Sequence, residues 1–344
     1  MGKASRVLSF CFAAVLAIAL CVPALCYEGV SAKSTVKKNI MLLKDKRTEH
    51  DATVELVSLG DDAVPMLSEA AKSPAEKVSL RILVMEILGD IKSPAAIDAI
   101  TAALSDSNVK IRRAAARSLG RIGDKRAVDA LKEALSDFDA EVRYLAARSL
   151  QQIKDPEMSD VFIRLLGDSD VRVRIAAIDG LGDIKEEKSM DELSQLVSDH
   201  NDNVRLSVAV ALGKIGNRAA LPALNALLDD RNLKVRKEAL KALGAVRDPS
   251  SIPSLIKIAE RDYKEMRCEA VTALGDIGGN DVVPTLKKLL RDEMIDVRVA
   301  AIKSLARIGD QEFVKDLEPL LTDESTKVRK AARAAIDEIK SEKG

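Results

Sequence analysis

The chain has 344 residues, of which 47% are hydrophobic but only 2% aromatic, with no Trp, 3 Tyr and 5 Phe. Two conventional aromatic-rich cores are therefore excluded, and 31% charged residues must cover a core of Ala, Leu, Ile and Val, the balance expected of helices with narrow apolar stripes. Lys and Arg number 54, as do Asp and Glu, which removes the strongly basic field of a dedicated nucleic-acid binder.

The first residues have the layout of a secretory signal. Lys3 and Arg6 precede an apolar run from Val7 to Cys21, followed by small-residue sites at Val22-Pro23-Ala24 and Ala24-Leu25-Cys26, so residues 1–26 are expected to be a signal peptide cleaved after Ala24 or Cys26. The alternative is an uncleaved anchor, since Val7 to Cys26 spans 20 residues and that length can cross a bilayer. Lipidation fits less well because Cys21 and Cys26 both follow a Leu. The protein is thus expected to be periplasmic or extracellular, with membrane contact only if the segment is retained. Removing Lys3 and Arg6 leaves 52 basic against 54 acidic side chains. Cys11, Cys21 and Cys26 all lie in this segment, so cleavage after Cys26 leaves Cys268 alone, and one thiol forms no internal bridge.

Beyond an irregular stretch at 27–77, internal repetition predicts the fold. Arg81, Arg112, Arg143, Arg174, Arg205, Arg236, Arg267, Arg298 and Arg329 follow one another at intervals of 31 residues. An apolar residue precedes each, from Leu80 and Ile111 to Val328. Eight positions on stands a Leu or Ile (Leu88, Leu119, Leu150, Leu181, Leu212 and onward), and three further comes Ile91, Ile122, Ile153 and their successors. With Ala115, Ala146, Ala177, Ala239, Ala270, Ala301 and Ala332 at the fourth place, the stripe is one face of an α-helix. A second helix follows in each copy, shown by Ile97, Ile100 and Leu104, then Val128, Leu131 and Leu135. Between the helices lie Ser93-Pro94, Asp124, Asp155-Pro156, Asn217 and Asp248-Pro249, which favour turns and helix starts. Gly123, Gly216, Gly278 and Gly309 fall where a left-handed C-terminal cap is expected. The predicted fold is all-α, an α-solenoid of about ten two-helix units stacked along one seam.

The pattern resembles the HEAT-like repeats of the phycobilisome-lyase type, whose units read V-R-x-x-A-x-x-x-L-G-x-I-G-D before a second helix. Asn203-Val204-Arg205 through Gly213-Lys214-Ile215-Gly216, then Leu221-Pro222-Ala223-Leu224, is a representative match. The resemblance covers about Val78 to Lys340. It implies a scaffold that hosts binding proteins, chromophore lyases and a few enzymes, with the second helices lining a concave face. The expected organisation is an N-terminal linker and irregular capping repeat at 27–77, a repeat array at 78–327 and a C-terminal capping helix at 328–344. The 318 residues left after cleavage at Cys26 would form a curved rod roughly 100 Å long, at a helix diameter of ~10 Å, and are expected to be monomeric.

Two sets of charges stand out. Six residues before most of the repeated arginines is an Asp, giving Asp106 with Arg112, Asp137 with Arg143, Asp168 with Arg174, Asp199 with Arg205, Asp230 with Arg236, Asp292 with Arg298 and Asp323 with Arg329. These residues predict a ladder of ion pairs between repeats that fixes register and, if exposed, adds only ~0 to 1 kcal/mol per pair. Before Arg267 the Asp is replaced by Arg261, within Glu260-Arg261-Asp262-Tyr263-Lys264-Glu265, just ahead of Cys268. The second set is on the second helices, where one position reads Asp98, Asp129, Asp160, Asp191, Pro222, Pro253, Pro284 and Lys315. Acids and Pro both suit a first helical turn. Their segregation, together with Lys287, Lys288 and Arg291 further on, suggests a partner-binding face that runs from acidic to basic.

Catalytic constellations are scarce. Only His50 and His200 occur, and neither begins a His-Glu pair of the kind with which deoxyhypusine hydroxylase, an enzyme on similar repeats, holds iron. No phosphate-binding Gly-rich loop or nucleophile elbow is present. The expected function is non-enzymatic: binding of a protein or peptide on the concave face, with no cofactor and no nucleic acid. The resemblance leaves a chromophore (bilin) lyase or lyase-like chaperone as the alternative.

Overall fold

The computed structural model describes residues 32–341; the signal peptide expected at 1–26 and its cleavage sites lie outside the described residues. All regular structure in that span is helical. Three helices, Ala32–Leu42, Glu49–Ser58 and Val64–Lys72, precede the regular array. The repeated first helices are Val78–Ile91, Val109–Ile122, Ala140–Ile153, Val171–Ile184, Asp202–Ile215, Leu233–Val246, Lys264–Ile277 and Ile295–Ile308, each of 14 residues. Thr326–Ser341, in first-helix register, is the last of the described helices.

Local chemistry sets these boundaries. Asn108, Asp139, Asp170, Asn201 and Asn232 stand just ahead of first helices and accept a backbone N–H two or three residues on, satisfying a donor that the helix leaves free. Ser93, Asp124, Asp155, Glu186, Asn217 and Asp248 do the same for the tight turn that opens each second helix. At the other end of the first helix the chain turns left-handed once per repeat. Gly123, Gly216 and Gly309 do so at φ of 69°, 72° and 77°, while Gly278 also has a positive φ of 68° but an extended ψ of −161°. Lys92, Lys154, Lys185 and Arg247 occupy the same register at 53° to 56°. Non-Gly residues accept some strain there, so the turn is demanded by the hairpin and not by glycine.

Packing is between neighbours. Each first helix lies against the next first helix, and each second helix against the first helix that follows it. The column Leu88, Leu119, Leu150, Leu181, Leu212, Leu243, Leu274 and Leu305 is fully buried, as is the Ala column from Ala115 to Ala332. One cluster of buried side chains runs from Val36 to Ile339. The last column of the stripe is mixed: Ile91, Ile122, Ile153 and Ile184 are half-buried, whereas Ile215 and Ile339 are buried.

Close approach of first helices depends on small residues. A Cβ on Gly182 would stand 2.9 Å from Cα of Ala211, and one on Gly244 equally close to Cα of Ala273. Gly89, Gly120 and Gly275 face Ser118, Ser149 and Ser304, whose buried hydroxyls donate to the carbonyls of Met85, Ala116 and Val271 at 2.8 to 3.0 Å. Helix backbones thus touch through Gly on one side and Ala or Ser on the other.

Because Leu212 is fully buried between neighbouring units, Leu212→Ala is expected to cost about 2 to 5 kcal/mol. Thermal and denaturant unfolding of the variant measures this, and wild-type stability would contradict the burial of the column.

Candidate functional site

The repeated Arg and Asp residues form the most regular polar feature of the molecule. Seven of the nine guanidinium groups reach forward, to the Asp 25 residues later. Arg81 pairs with Asp106, Arg112 with Asp137, Arg143 with Asp168, Arg174 with Asp199, Arg205 with Asp230 and Arg298 with Asp323, at 2.5 to 3.1 Å; Arg267 pairs with Asp292. Several are bidentate, as where Arg112 donates Nε and Nη2 to the two oxygens of Asp137 at 2.7 and 2.9 Å. The Asp six residues before an Arg is also bound, but through its carbonyl: Arg112 Nη1 donates to the Asp106 oxygen at 3.0 Å, and Arg205 Nη1 to that of Asp199 at 2.7 Å. One Asp therefore ties two arginines, its carboxylate to the preceding repeat and its main chain to its own. A carboxylate oxygen also accepts the N–H two residues on, as Asp137 does from Asp139 and Asp230 from Asn232.

These pairs are not the exposed contacts that the spacing suggests. Arg205 and Asp230 are each 6% exposed, and both Arg267 and Asp292 9%. The aliphatic stems pack in the cleft between units, leaving little water at the charges. Arg112 and Arg205, the nearest cations, hold the carboxyls of Asp137 and Asp230 below the usual range. A parallel pair, Arg113 with Asp139, stands beside the Arg112–Asp137 rung. There the Arg113 hydrogen bond outweighs burial, and with the Val142 N–H it holds the Asp139 carboxyl down at about 2.

Two arginines of the series lack a carboxylate among the described residues. Arg329 has no following repeat within them; it donates to the carbonyls of Asp323 and Glu324. Arg236 is the second. Its counterpart position is occupied by Arg261, so the irregular segment deprives Arg236, not Arg267, of its partner. Arg267 keeps Asp292 and sends Nε to the Ala259 carbonyl at 2.9 Å.

On the second helices Asp98, Asp129, Asp160 and Asp191 are exposed and stand in the first helical turn, where negative charge is favoured. Asp129 approaches Lys132 at 3.6 Å. Pro222, Pro253 and Pro284 occupy the opening turn of later second helices. The basic residues differ from the sequence expectation. Lys287 pairs with Asp316 and Lys288 with Glu260, both at 2.8 Å, while Arg291 is exposed. The patch thus carries less unbalanced charge than its sequence suggests, because acids from adjacent units meet two of its lysines.

His50 and His200 are exposed and far apart in the array. Among the described residues no three His, Cys, Asp or Glu side chains cluster as a metal site would require. Cys268 is half-buried, and burial pushes its thiol up. No helix of the described residues is long and apolar enough to cross a membrane.

This geometry defines an α-solenoid held by an interrepeat ion-pair ladder. The family described as HEAT repeats matches residues 64–144, 131–210, 190–266 and 252–337, and the chain belongs to that family. Among solved structures, an engineered protein matches at 23% identity over 89% of this chain and 99% of its own, with a TM-score of 0.51. Kap95p, solved bound to RanGDP, matches at 16% identity and a TM-score of 0.58; the match covers 90% of this chain and 51% of the other. Human deoxyhypusine hydroxylase matches at 21% identity over 73% of this chain and 97% of its own, with a TM-score of only 0.35. These likenesses are likenesses of fold. Curated protein sequences contain no match.

Two measurements test the ladder. Removing one member of a shielded pair strands a charge, so Asp230→Ala is expected to destabilise by about 3 to 5 kcal/mol, against the ~0 to 1 of a surface pair, as read by denaturant unfolding. The second concerns acid. Asp139, depressed in the folded state to about 2, contributes stability that is present above the unfolded value of about 3.9 and is lost as pH falls towards 2. Asp139→Asn keeps the cap, as Asn108 and Asn201 do elsewhere, so melts between pH 5 and 2 should lose less stability in this variant than in wild type.

Proposed function

We propose that the protein is a non-enzymatic scaffold that binds a protein or peptide partner along the solvent face of its second helices, taken as the concave face of the solenoid. The observation that carries the reading is the row Asp98, Asp129, Asp160 and Asp191. Four exposed carboxylates recur at one position of four consecutive second helices, and only Asp129 has a cation within 4.0 Å among the described residues. Like charges at a fixed repeat suit a partner with complementary positive groups spread over an extended segment. HEAT-repeat membership supports the same reading, as does the likeness to Kap95p, which binds RanGDP.

Export to the periplasm or extracellular space belongs to this proposal and rests on the pattern of residues 1–26. The phycobilisome-lyase subtype rests on the motif around Val204–Gly216. A bilin-lyase activity draws no support from Cys268, whose half-buried, raised thiol is a poor nucleophile.

The test is affinity capture with the exported chain from its native envelope, with the mature N-terminus sequenced in the same sample. Reversing Asp98, Asp129, Asp160 and Asp191 to Lys is expected to abolish capture of the wild-type partner and its salt dependence. Reversing Lys287, Lys288 and Arg291 to Glu is expected to weaken it less, since two of those lysines are already paired. Equal capture by wild type and the four-Lys variant at low salt would refute the face.

A further inference from the structure

The ladder has one open rung inside the array. Arg236 is held as its closed counterparts are: Nη1 donates to the carbonyls of Asp230 and Arg231 at 2.7 and 3.4 Å, just as Arg112 Nη1 donates to those of Asp106 and Ser107 at 3.0 and 3.4 Å. Its guanidinium is therefore set in the posture that elsewhere receives an Asp, yet no carboxylate of the described residues lies within 4.0 Å. The cause is local. The second helix Ile252–Arg261 runs for 10 residues where Val128–Ala134 has 7. The backbone is still helical at the position that should turn and present an acid. Asp262, one residue late, caps that helix, and its carboxylate accepts the N–H of Tyr263 at 2.6 Å.

The groove in the matching register is also less acidic than its closed counterpart. In the closed case, a groove between consecutive second helices ends on Arg112 and is lined by Glu133 and Asp137. In the same register four repeats on, a groove of about 390 Å³ presents Lys257 and Arg261 in place of those acids, with Ser254 and Asn225 beside them. Asp229 and Asp262 also line it. Lys257 and Arg261 are exposed. Arg236, which does not itself line that groove, thus keeps its preset guanidinium and lacks an internal acceptor, while Lys257 and Arg261 replace two acids of the closed case nearby.

We propose that the open rung at Arg236 takes a carboxylate from another molecule, an Asp or Glu side chain of a partner protein, which completes the ladder from outside. That the carboxylate belongs to a protein rests on the scaffold reading above; the rung can be tested without the partner. Arg236 keeps what the closed rungs use: a half-buried planar guanidinium whose Nε and Nη2 have no acceptor among the described residues, a fork that matches a carboxylate through two parallel hydrogen bonds.

The probe is acetylated hexaglutamate, titrated into the full chain at low salt by calorimetry, with inorganic phosphate as the competing oxyanion. Arg236→Gln removes the fork, and Arg261→Asp offers an internal acid at the missing position. Each is expected to weaken hexaglutamate binding by about tenfold or more, the scale of one lost charge-assisted contact. Arg164→Asp, a charge change of the same sign and size as Arg261→Asp on an exposed second-helix position, should leave it within about twofold. Absence of hexaglutamate binding, or equal affinity in wild type and Arg236→Gln, overturns the open rung while leaving the capture experiment to decide the scaffold reading. Tighter binding of phosphate than of hexaglutamate, lost in Arg236→Gln, overturns the carboxylate assignment in favour of a phosphoryl group.

Discussion

A two-helix unit of 31 residues cannot bury its own apolar side, and the contact between consecutive units is the constraint on which everything else depends. The seam at that contact has two layers. Inside, leucines at 0% exposure and the Ala column exclude water, and Gly opposite Ala or Ser lets first-helix backbones approach to the limit that a Cβ would allow. Outside, the Arg–Asp rung spans the same joint. Burial is non-directional and tolerates sliding of one helix along another. A bidentate ion pair does not, and the rung is therefore suited to setting the register in which the greasy layer closes.

Shielding changes what such a pair contributes. At 6% exposure, Arg205 and Asp230 have given up hydration, and their mutual attraction largely offsets that loss. The net gain from the intact pair is small, whereas the penalty for removing one member is large. Such an asymmetry resists mispairing better than it raises stability. It also makes a vacant rung a site of unmet electrostatic demand, since a guanidinium anchored by two carbonyls remains in place when its acid is missing.

The solenoid separates these structural charges from those on its solvent side. Ladder residues lie in the clefts between units, while Asp98, Asp129, Asp160 and Asp191 stand on the outer surface of the second helices, where nothing in the packing requires them beyond the preference of a helix start for acids. Further along, Lys287 and Lys288 are bound to Asp316 and Glu260 of adjacent units. The surface therefore changes along the array from acids of which only Asp129 meets a cation to lysines balanced by neighbouring acids.

Much of this architecture was legible in the order of residues. A helix presents one side chain to its neighbour every three to four residues, so the spacing of Arg, Leu and Ala identified the hairpins, the buried columns and the participants of the ladder. The turn residues Ser93, Asp124, Asp155, Asn217 and Asp248 marked the helix starts for an equally local reason, since a side-chain oxygen caps the N–H groups beside it. Spacing along the chain could not show that an arginine such as Arg112 reaches forward by 25 residues with its side-chain fork while holding the Asp six residues back by its carbonyl. Nor could it show that the rungs are shielded, that Lys154 and Arg247 share the left-handed turn of the glycines, or that the substitution at Arg261 leaves Arg236 open. Those outcomes depend on how two repeats meet in space. A linear pattern fixes which face a residue occupies, but only the packed joint decides which atoms lie across from it and how much water remains between them.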